Sequence, residues 1–322
     1  MIKIFCTYKP IEKPWGGANN FIRALYHQLS FDGRFKLVES IDDSFDILFM
    51  NQFSLGPVNQ SKKIKIKEIK SIINNRKPQP KIVVRAINLT MHAYPPKFRG
   101  ILPALIQDRD TINLLNFADY VIFQSNYQYS FFKKAGFSNQ KYSIIHNGAD
   151  TNFICNVERP ELKKNNLYLV SSTIASRKTK RHDLIARFSE FPGVHVLHIG
   201  VWPKKIPLKN VILKGLLERE AMKALYQQGH YFLHPAIKDP CPNVIFEALS
   251  AGLPVIYNPD KGSSPEIVGK CGIPIDEKNL ESTINKAYSL FPTIVKEVKN
   301  NKYYFSINRA ANEYISVFLG IV

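Results

Sequence analysis

Short apolar runs alternate along the chain with longer amphipathic stretches, a pattern typical of strands alternating with helices. The apolar runs predict strands at residues 2–6, 45–50, 82–86, 120–124, 142–146, 167–172, 194–199, 211–213, 231–234 and 254–257. Helical spacing is clearest at residues 18–29, 61–81, 218–228 and 302–319. Strands that alternate with helices predict parallel sheets covered by helices, which is an α/β fold.

The alternation lapses once, in a polar stretch at residues 152–166 that contains Pro160. A chain of 322 residues is long for one domain, so this stretch is the natural junction between two. We therefore predict an amino-terminal domain over residues 1–155 and a second domain from residue 156 to about residue 300.

Positive charge is the strongest deviation in composition, with a formal net charge of +18. Such a charge predicts anionic partners: nucleic acid, a membrane surface or phosphorylated substrates. Much of it lies in residues 61–81, where Ile66, Ile69 and Ile73 fall at helical spacing among lysines. Two interpretations stay open: a helix lying on an anionic membrane, or an ordinary crossover helix with a solvated lysine face.

Other features of the composition bear on location. No apolar run reaches the roughly 18 residues that span a bilayer, and residues 1–7 lack the long apolar core of a signal peptide. Cysteines at positions 6, 155, 241 and 271 show neither metal-ligand spacing nor a secreted framework. We expect a cytoplasmic protein, peripheral at the inner face of a membrane if the basic helix binds lipid.

Residues 231–271 contain two copies of one arrangement: a short apolar strand, a polar loop, and a helix that begins directly after the loop. Pro240 and Pro242 keep the chain out of helix until Asn243, which we expect to cap the first helix, as Ser264 is expected to cap the second. The free N–H groups and dipoles of two such helix starts suit a diphosphate. The stretch therefore predicts the nucleotide end of a sugar-transfer site.

Charged residues and glycines accompany these turns. Asp239 and Glu247 flank the first helix start, where they either meet the crevice or merely complement the helix dipole. The turn after the strand at 167–172 carries Arg177, Lys178, Lys180 and Arg181, and clustered cations at a helix start imply a nearby anion or a fully solvated turn. Gly16 and Gly17 form a third turn of this kind, weak evidence when taken alone.

The run from Asp239 to Val255, followed by Gly262-Ser-Ser-Pro-Glu266-Ile-Val, resembles the donor-site signature of glycosyltransferase family 4, the retaining GT-B enzymes. That signature is two Glu residues separated by seven positions. Here Asp239 replaces the first and Glu247 is the second, and Cys241-Pro242-Asn243 stands in place of the usual Gly-Phe-Gly; both replacements resemble variants known in the family. Segments of the first half, at residues 84–88, 108–110, 116–125 and 145–150, are similar to the acceptor domain of a family 4 subgroup.

The resemblance implies a GT-B architecture, with two doubly wound Rossmann-like domains facing across a cleft and a terminal helix, residues 301–322, packing back on the first domain. It implies retaining transfer of a sugar from a nucleotide-diphosphate sugar to a saccharide or lipid-linked acceptor, in cell-surface polysaccharide biosynthesis. The nucleotide sugar is then a substrate, and no cofactor is expected. No metal is expected either, because no Asp-x-Asp motif lies in a donor-like setting.

The resemblance also implies roles for particular residues. Glu247 would bind the ribose hydroxyls and Asp239 the donor sugar, while Glu266 orders the second loop. Lys180 best matches the diphosphate lysine, but Arg181 stands where the family usually has Gly, so Arg177 and Lys178 remain rivals. Arg177 is also the candidate for the diphosphate arginine. His92 takes an acceptor-side position, unless it is a solvated surface residue. The remaining implied donor-site residues are Gly16, Gly17, Gly200, Gly215, Cys241, Pro242, Asn243, Val244, Ser263 and Ser264.

Two alternatives belong to other classes. A GT-B protein of different chemistry, an epimerase or a phosphorylase, would share the fold. A basic nucleic-acid-binding protein would explain the charge but not the acid-bearing loops, and no nucleic-acid-binding motif is present. We therefore expect a nucleotide sugar, an acceptor and an anionic membrane surface as partners, and no nucleic acid.

Overall fold

The computed structural model describes residues 1–12, 17–51, 53–57, 59–60, 62–93, 100–150 and 159–322. The chain divides into two compact units. Unit 1 comprises Met1–Asn147 together with Ile307–Val322, and unit 2 comprises Gly148–Ser306. The predicted junction between residues 155 and 156 lies outside the described residues.

Unit 1 contains strands and helices in alternation. Its strands are β1 (Ile2–Cys6), β2 (Tyr8–Lys9), β3 (Phe35–Val38), β4 (Ile47–Asn51), β5 (Ser54–Pro57), β6 (Lys62–Lys63), β7 (Lys81–Arg85), β8 (Tyr120–Phe123) and β9 (Tyr142–Ile144). Its helices are α1 (Gly17–Phe31), α2 (Ile66–Asn74), α3 (Thr90–Ala93), α4 (Ile101–Phe117), α5 (Asn126–Lys134) and α11 (Ile307–Ile321).

The main sheet of unit 1 is parallel, in the order β3-β1-β4-β7-β8-β9. Alternate strand residues enter two cores, since side chains along a strand point to opposite faces. Helices α2, α4 and α5 cover one face and helices α1 and α11 cover the other. A second small sheet, β2-β5-β6, was not predicted.

Unit 2 repeats the plan. Its strands are β10 (Leu167–Thr173), β11 (Val194–Gly200), β12 (Val211–Gly215), β13 (Tyr231–His234), β14 (Val255–Tyr257) and β15 (Gly272–Pro274). Its helices are α6 (His182–Phe188), α7 (Arg219–Gln228), α8 (Asn243–Ser250), α9 (Ser264–Val268) and α10 (Leu280–Asn300).

The sheet of unit 2 is also parallel, in the order β12-β11-β10-β13-β14-β15. The strand order reverses between β10 and β13, which are neighbours in space but distant in sequence. At such a switch point the loops after adjacent strands diverge and leave a crevice at the carboxyl edge of the sheet. The two parallel sheets confirm the predicted α/β class.

The ends of unit 2 lie side by side. The Ala149 N–H donates to the Phe305 carbonyl at 2.8 Å, and Ala149 forms a parallel bridge with Ser306. In unit 1, the Arg309 guanidinium at the start of α11 donates to the carbonyls of His146, at 2.9 Å, and Asn147, at 2.6 Å.

Two predicted helices differ from those observed. The stretch at 61–81 forms β6 and the nine-residue α2, because Pro78 and Pro80 exclude helix near the next strand. The terminal helix is interrupted: residues 302–305 form a 3-10 turn, Ser306 is extended, and α11 begins at Ile307. Among the described helices, none is long and apolar enough to cross a membrane.

Candidate functional site

Three loops converge at the carboxyl edge of the unit 2 sheet, following β10, β13 and β14. The Ile237 N–H donates to the Thr179 carbonyl at 2.9 Å, and a hydrogen bond from the Lys238 N–H to the Lys261 carbonyl joins the second and third loops. Ser263 strengthens that link, because its N–H and its hydroxyl both donate to the Asp239 carbonyl, at 3.1 and 3.2 Å. The backbone around Asp239 is therefore held from two sides.

Asp239 and Lys180 form an ion pair at this edge, 59 positions apart in sequence, with Lys180 Nζ 2.9 Å from Asp239 Oδ2. The Cys241 N–H donates to the other carboxylate oxygen at 3.3 Å. Burial opposes ionisation of Asp239, but the electrostatic interactions with Lys180 and His234 and the hydrogen bonds from Lys180 and the Cys241 N–H together outweigh it. The pKa of Asp239 therefore lies below its usual value. The edge thus presents an ionised carboxylate and an ammonium side by side, both partly buried.

His234, the last residue of β13, interacts electrostatically with both members of this pair. Its side chain is buried, and burial lowers its pKa to about 4, so the imidazole is neutral at physiological pH. Among the described residues, its Nε2 atom has no hydrogen-bond partner. The sequence analysis did not single out His234, because a histidine at the end of an apolar strand carries no signal of its surroundings.

The four cations of the turn after β10 have different surroundings. Arg181, in a left-handed conformation with φ 54°, pairs with Asp183 at 3.1 Å and with Glu277 at 2.8 Å. Its hydrogen bonds lower the pKa of Glu277. Arg177 and Lys178 are exposed. Of the four, Lys180 is the one that pairs with Asp239, which favours it as the diphosphate lysine; the role itself stays a prediction.

Glu247 lies in α8 and is buried. Burial raises the pKa of Glu247 to about 7. The nearby Arg219 lowers this pKa, but Asp150 raises it and so offsets part of the effect of Arg219. Arg219 pairs with Asp150 at 2.8 Å, whereas Glu247 makes no ion pair in the part of the chain that the structure describes. Sequence reasoning missed Arg219, which lies on another helix 28 positions before Glu247. A carboxyl group with these surroundings can accept or donate a hydrogen bond near neutral pH.

Both predicted helix starts are present, but the capping predictions are wrong. Pro242 is the residue before α8 and Asn243 is its first residue, while Ser263 precedes α9 and Ser264 is its first residue. The side chains of the residues that precede the helices, Pro242 and Ser263, accept no hydrogen bond from a backbone N–H of the first turn. Proline has no suitable side chain, and the hydroxyl of Ser263 donates to the Asp239 carbonyl instead.

Six of the other predicted donor-site residues of unit 2 lie on these same segments, and two glycines lie at the ends of β11 and β12. Cys241, Pro242, Ser263 and Ser264 are buried, whereas Val244 and Glu266 are half-buried. Gly200, at the end of β11, has φ +108°, and a Cβ atom there would lie 1.9 Å from the Thr173 carbonyl oxygen, so this turn requires glycine. Gly215, with φ +68°, ends β12.

The remaining predictions fall in unit 1. Gly16 lies outside the described residues, and Gly17 is the first residue of α1. His92 Nε2 lies 2.8 Å from the Tyr127 hydroxyl, and its ring stacks on Phe131 with centroids 3.9 Å apart. These contacts make His92 a packed side chain rather than a solvated one.

The side chains that could bind a metal are scattered over the described residues. No group of three or more His, Cys, Asp or Glu residues that could hold a metal ion occurs within the described ranges. Cys6, Cys241 and Cys271 are buried and form no disulfide bond within those ranges, and Cys155 lies outside them.

Several solved structures share the fold of this chain. Sucrose-phosphate synthase from Thermosynechococcus elongatus superimposes with a TM-score of 0.70 at 12% identity, covering 100% of this chain and 99% of that one. HepE from Anabaena, in complex with UDP-glucose, gives 0.65 at 15% identity, with 99% and 100% covered. WaaG, a glycosyltransferase involved in lipopolysaccharide biosynthesis, gives 0.61 at 16% identity, with 97% and 99% covered. The predicted GT-B fold is confirmed.

A family model gives a narrower result. Residues 181–291 match the model described as glycosyl transferases group 1. This range holds Asp239, Glu247 and Glu266. No curated protein matches the chain. The fold and the group 1 match together support a glycosyltransferase; the narrower assignment to family 4 stays a prediction.

Proposed function

We propose that this protein is a retaining glycosyltransferase that moves a sugar from a nucleotide-diphosphate sugar to a saccharide or lipid-linked acceptor. The observation that carries the proposal is the Asp239–Lys180 pair beside the start of α8, with the buried Glu247 in that helix. A cation, free helix N–H groups and two carboxyl groups at one sheet edge match the charge pattern of a sugar linked to a diphosphate.

Each group has a distinct task in this proposal. Lys180 and the N–H groups at the start of α8 stabilise the charge that develops on the leaving diphosphate, which is the main electrostatic demand of the reaction. Asp239, held by Ser263 and Lys180, accepts hydrogen bonds from the donor sugar. Glu247 accepts hydrogen bonds from the ribose hydroxyls, and Gly200 and Gly215 shape the base pocket.

Retention follows if the acceptor attacks from the face that the diphosphate leaves. The bond between the anomeric carbon and the diphosphate oxygen breaks, the acceptor oxygen bonds to that carbon, and the acceptor proton passes to the departing phosphate. This route needs neither an enzymic nucleophile across the sugar nor a metal. We assign the acceptor side to unit 1, including His92.

The neighbours suggest which substrates to try first. The HepE structure contains UDP-glucose, so a uridine nucleotide is the first donor to test. WaaG acts in lipopolysaccharide biosynthesis, which favours a glycan precursor as acceptor. We place the protein in the cytoplasm, peripheral at the inner face of a membrane.

A panel of nucleotide sugars screened by thermal shift tests the proposal, because a ligand that binds the native state raises its stability by mass action. We expect one UDP-sugar to raise the melting temperature of the wild type and of Lys178→Gln, and to shift Glu247→Ala much less. Transfer to a synthetic acceptor then gives the product, whose anomeric configuration is read by NMR.

Three results would contradict the proposal. If no nucleotide sugar raised the melting temperature, the proposed donor site would be wrong. Inversion at the anomeric carbon would exclude retention, and transfer abolished by a chelator and restored by a divalent ion would exclude the metal-independent route.

A further inference from the structure

An apolar face on α4 is exposed to solvent. Leu102, Leu105 and Ile106 are 68%, 50% and 54% exposed, and their spacing places them on one side of the helix. Helix α2 is different, because its isoleucines Ile69 and Ile73 are buried in the unit 1 core. Its exposed residues are all polar or charged: Lys67, Glu68, Lys70, Ser71 and Asn74. The basic helix therefore has no apolar face left for a membrane, whereas α4 does.

A groove of about 480 Å³ lies beside this face, and Leu105 belongs to both. Its apolar lining includes Leu89, Met91, Ile112 and Phe131. The polar groups at its wall are engaged: the carboxylate of Asp108 accepts from the N–H groups of Thr90, at 2.6 Å, and Met91, at 2.9 Å, and His92 contacts the Tyr127 hydroxyl. The groove thus offers hydrocarbon contacts and few unused hydrogen-bonding groups.

One cation lines the groove, and two more lie on a helix that forms part of its wall. Arg109 lines it, and Lys133 and Lys134 end α5, the helix that contributes Phe131 to the wall. All three side chains are exposed and form no ion pair within the described part of the chain. An apolar groove with Arg109 in its lining and two exposed lysines on an adjoining helix complements an amphiphile with a hydrocarbon chain and an anionic head group.

We propose that the α4 groove docks on an anionic bilayer and receives a hydrocarbon chain of one of its lipids, with Arg109, Lys133 and Lys134 at the head-group level. The lysines of α2 lie on the same face of the unit 1 sheet and add long-range attraction. A second copy of the chain is a poorer occupant, because a two-fold contact would bring the same cations together. The proposal deepens the membrane part of the proposed function.

Flotation with liposomes tests the surface without measuring transfer, so the docking proposal and the proposed enzymic activity can fail separately. The test variant is Leu102→Gln/Leu105→Gln/Ile106→Gln. The matched control is Ile212→Gln/Leu213→Gln/Leu216→Gln in unit 2, whose residues are 48%, 42% and 72% exposed. With vesicles of phosphatidylglycerol and phosphatidylcholine, we expect the test variant to bind about tenfold more weakly than wild type and the control to bind like wild type.

The charge contribution has its own arm. Replacing Arg109, Lys133 and Lys134 by Gln should also weaken binding about tenfold, and pure phosphatidylcholine should not bind the wild type appreciably. The proposal is overturned if the apolar triple variant binds anionic vesicles as strongly as the wild type does, or if the unit 2 control loses as much vesicle binding as the triple variant. So does a wild type that fails to float with anionic vesicles, or a dimer that the triple variant abolishes while flotation is unchanged.

Depth provides a second, independent measurement. Leu102→Trp should lose fluorescence in vesicles that contain lipids brominated on their acyl chains, while Leu216→Trp should not. Equal quenching of the two variants, or no quenching of either, contradicts insertion of this face.

Discussion

The main sheets of the two units are both six-stranded and parallel, but they differ in how they hold charge at their carboxyl edges. In unit 1, Arg85 is fully buried and donates to Asn51 Oδ1, at 3.0 Å, Gln124 Oε1, at 2.6 Å, and Asn147 Oδ1, at 2.9 Å. In unit 2, Lys180 and Asp239 are partly exposed and the buried Glu247 lacks a counter-ion among the described residues.

Under the proposed function, the difference is one between a structural charge, Arg85, and charges that bind a ligand. Arg85 is enclosed, with its guanidinium 4.7 Å from the centre of the Phe21 ring, and it ties together the ends of several strands. The charged groups of unit 2 have fewer hydrogen-bond and ion-pair partners than Arg85 has, so a bound ligand could supply further partners. Loss of an edge charge should therefore affect folding in unit 1 and binding or rate in unit 2.

The largest effect is expected from Arg85→Met. Three buried amide oxygens would lose their donor, which costs about 3–5 kcal/mol of unfolding free energy. Urea denaturation measures the loss, with the exposed Arg109→Met as the matched control, expected within about 0.5 kcal/mol of wild type. A loss below about 1 kcal/mol at Arg85 would mean that its network is not structural.

Lys180→Gln should lower the transfer rate about 10²–10³-fold, the usual cost of removing one group that stabilises transition-state charge. Lys178→Gln, in the same turn but exposed, should stay within about twofold of the wild-type rate. Single-turnover kinetics with the donor found by the screen makes the comparison. Equal losses for Lys180→Gln and Arg181→Gln would show that the wrong cation of the turn has been chosen.

Glu247→Gln should stabilise the fold at high pH. The folded pKa of Glu247, about 7, lies above its ordinary value of 4.5, so ionisation costs stability as the pH rises through 7. The Gln variant avoids that cost, and we expect it to be about 3 kcal/mol more stable than wild type at pH 8, with the gain gone by about pH 4.5. The exposed Glu218→Gln should show no such pH dependence; a pH-independent difference for Glu247→Gln would contradict burial as the cause.

The smallest effect on stability is expected from the lysines near α2. Replacing Lys62, Lys63, Lys65, Lys67 and Lys70 by Gln should change the unfolding free energy by less than about 0.5 kcal/mol, because these side chains are solvated. The same variant should bind anionic vesicles more weakly at low salt, and less distinctly so at moderate salt. If the variant bound vesicles at low salt as the wild type does, these lysines would not contribute to membrane binding.

Local signals explain what the sequence predicted well. The strands Ile2–Cys6 and Tyr231–His234 have the predicted bounds, because each is an apolar run closed by polar or proline residues. The start of α8 after Pro242 follows from the fixed φ of proline. By contrast, the short strands of the β2-β5-β6 sheet contain as few as two residues, too few for a periodic pattern.

Long-range contacts explain what it could not predict. The choice of Lys180 over Arg177 or Lys178 depends on Asp239, and the burial of Arg85 depends on partners 34, 39 and 62 positions away. The pKa of Glu247 depends on Arg219 and Asp150, from two other segments. No spacing rule within one segment reports such neighbours.

The paired ends of unit 2 bear on how such a chain can change over generations. The polypeptide leaves unit 1 at Asn147 and re-enters it at Ile307, while Ala149 is hydrogen-bonded to Phe305. An insert whose two ends meet can be excised and replaced without stretching the host on either side, much as a cassette is exchanged. Arg309 donates to the carbonyls of His146 and Asn147, so it would hold the two ends of unit 1 together after such an exchange. The connectivity therefore permits recombination to substitute one half of the molecule while the other is inherited intact.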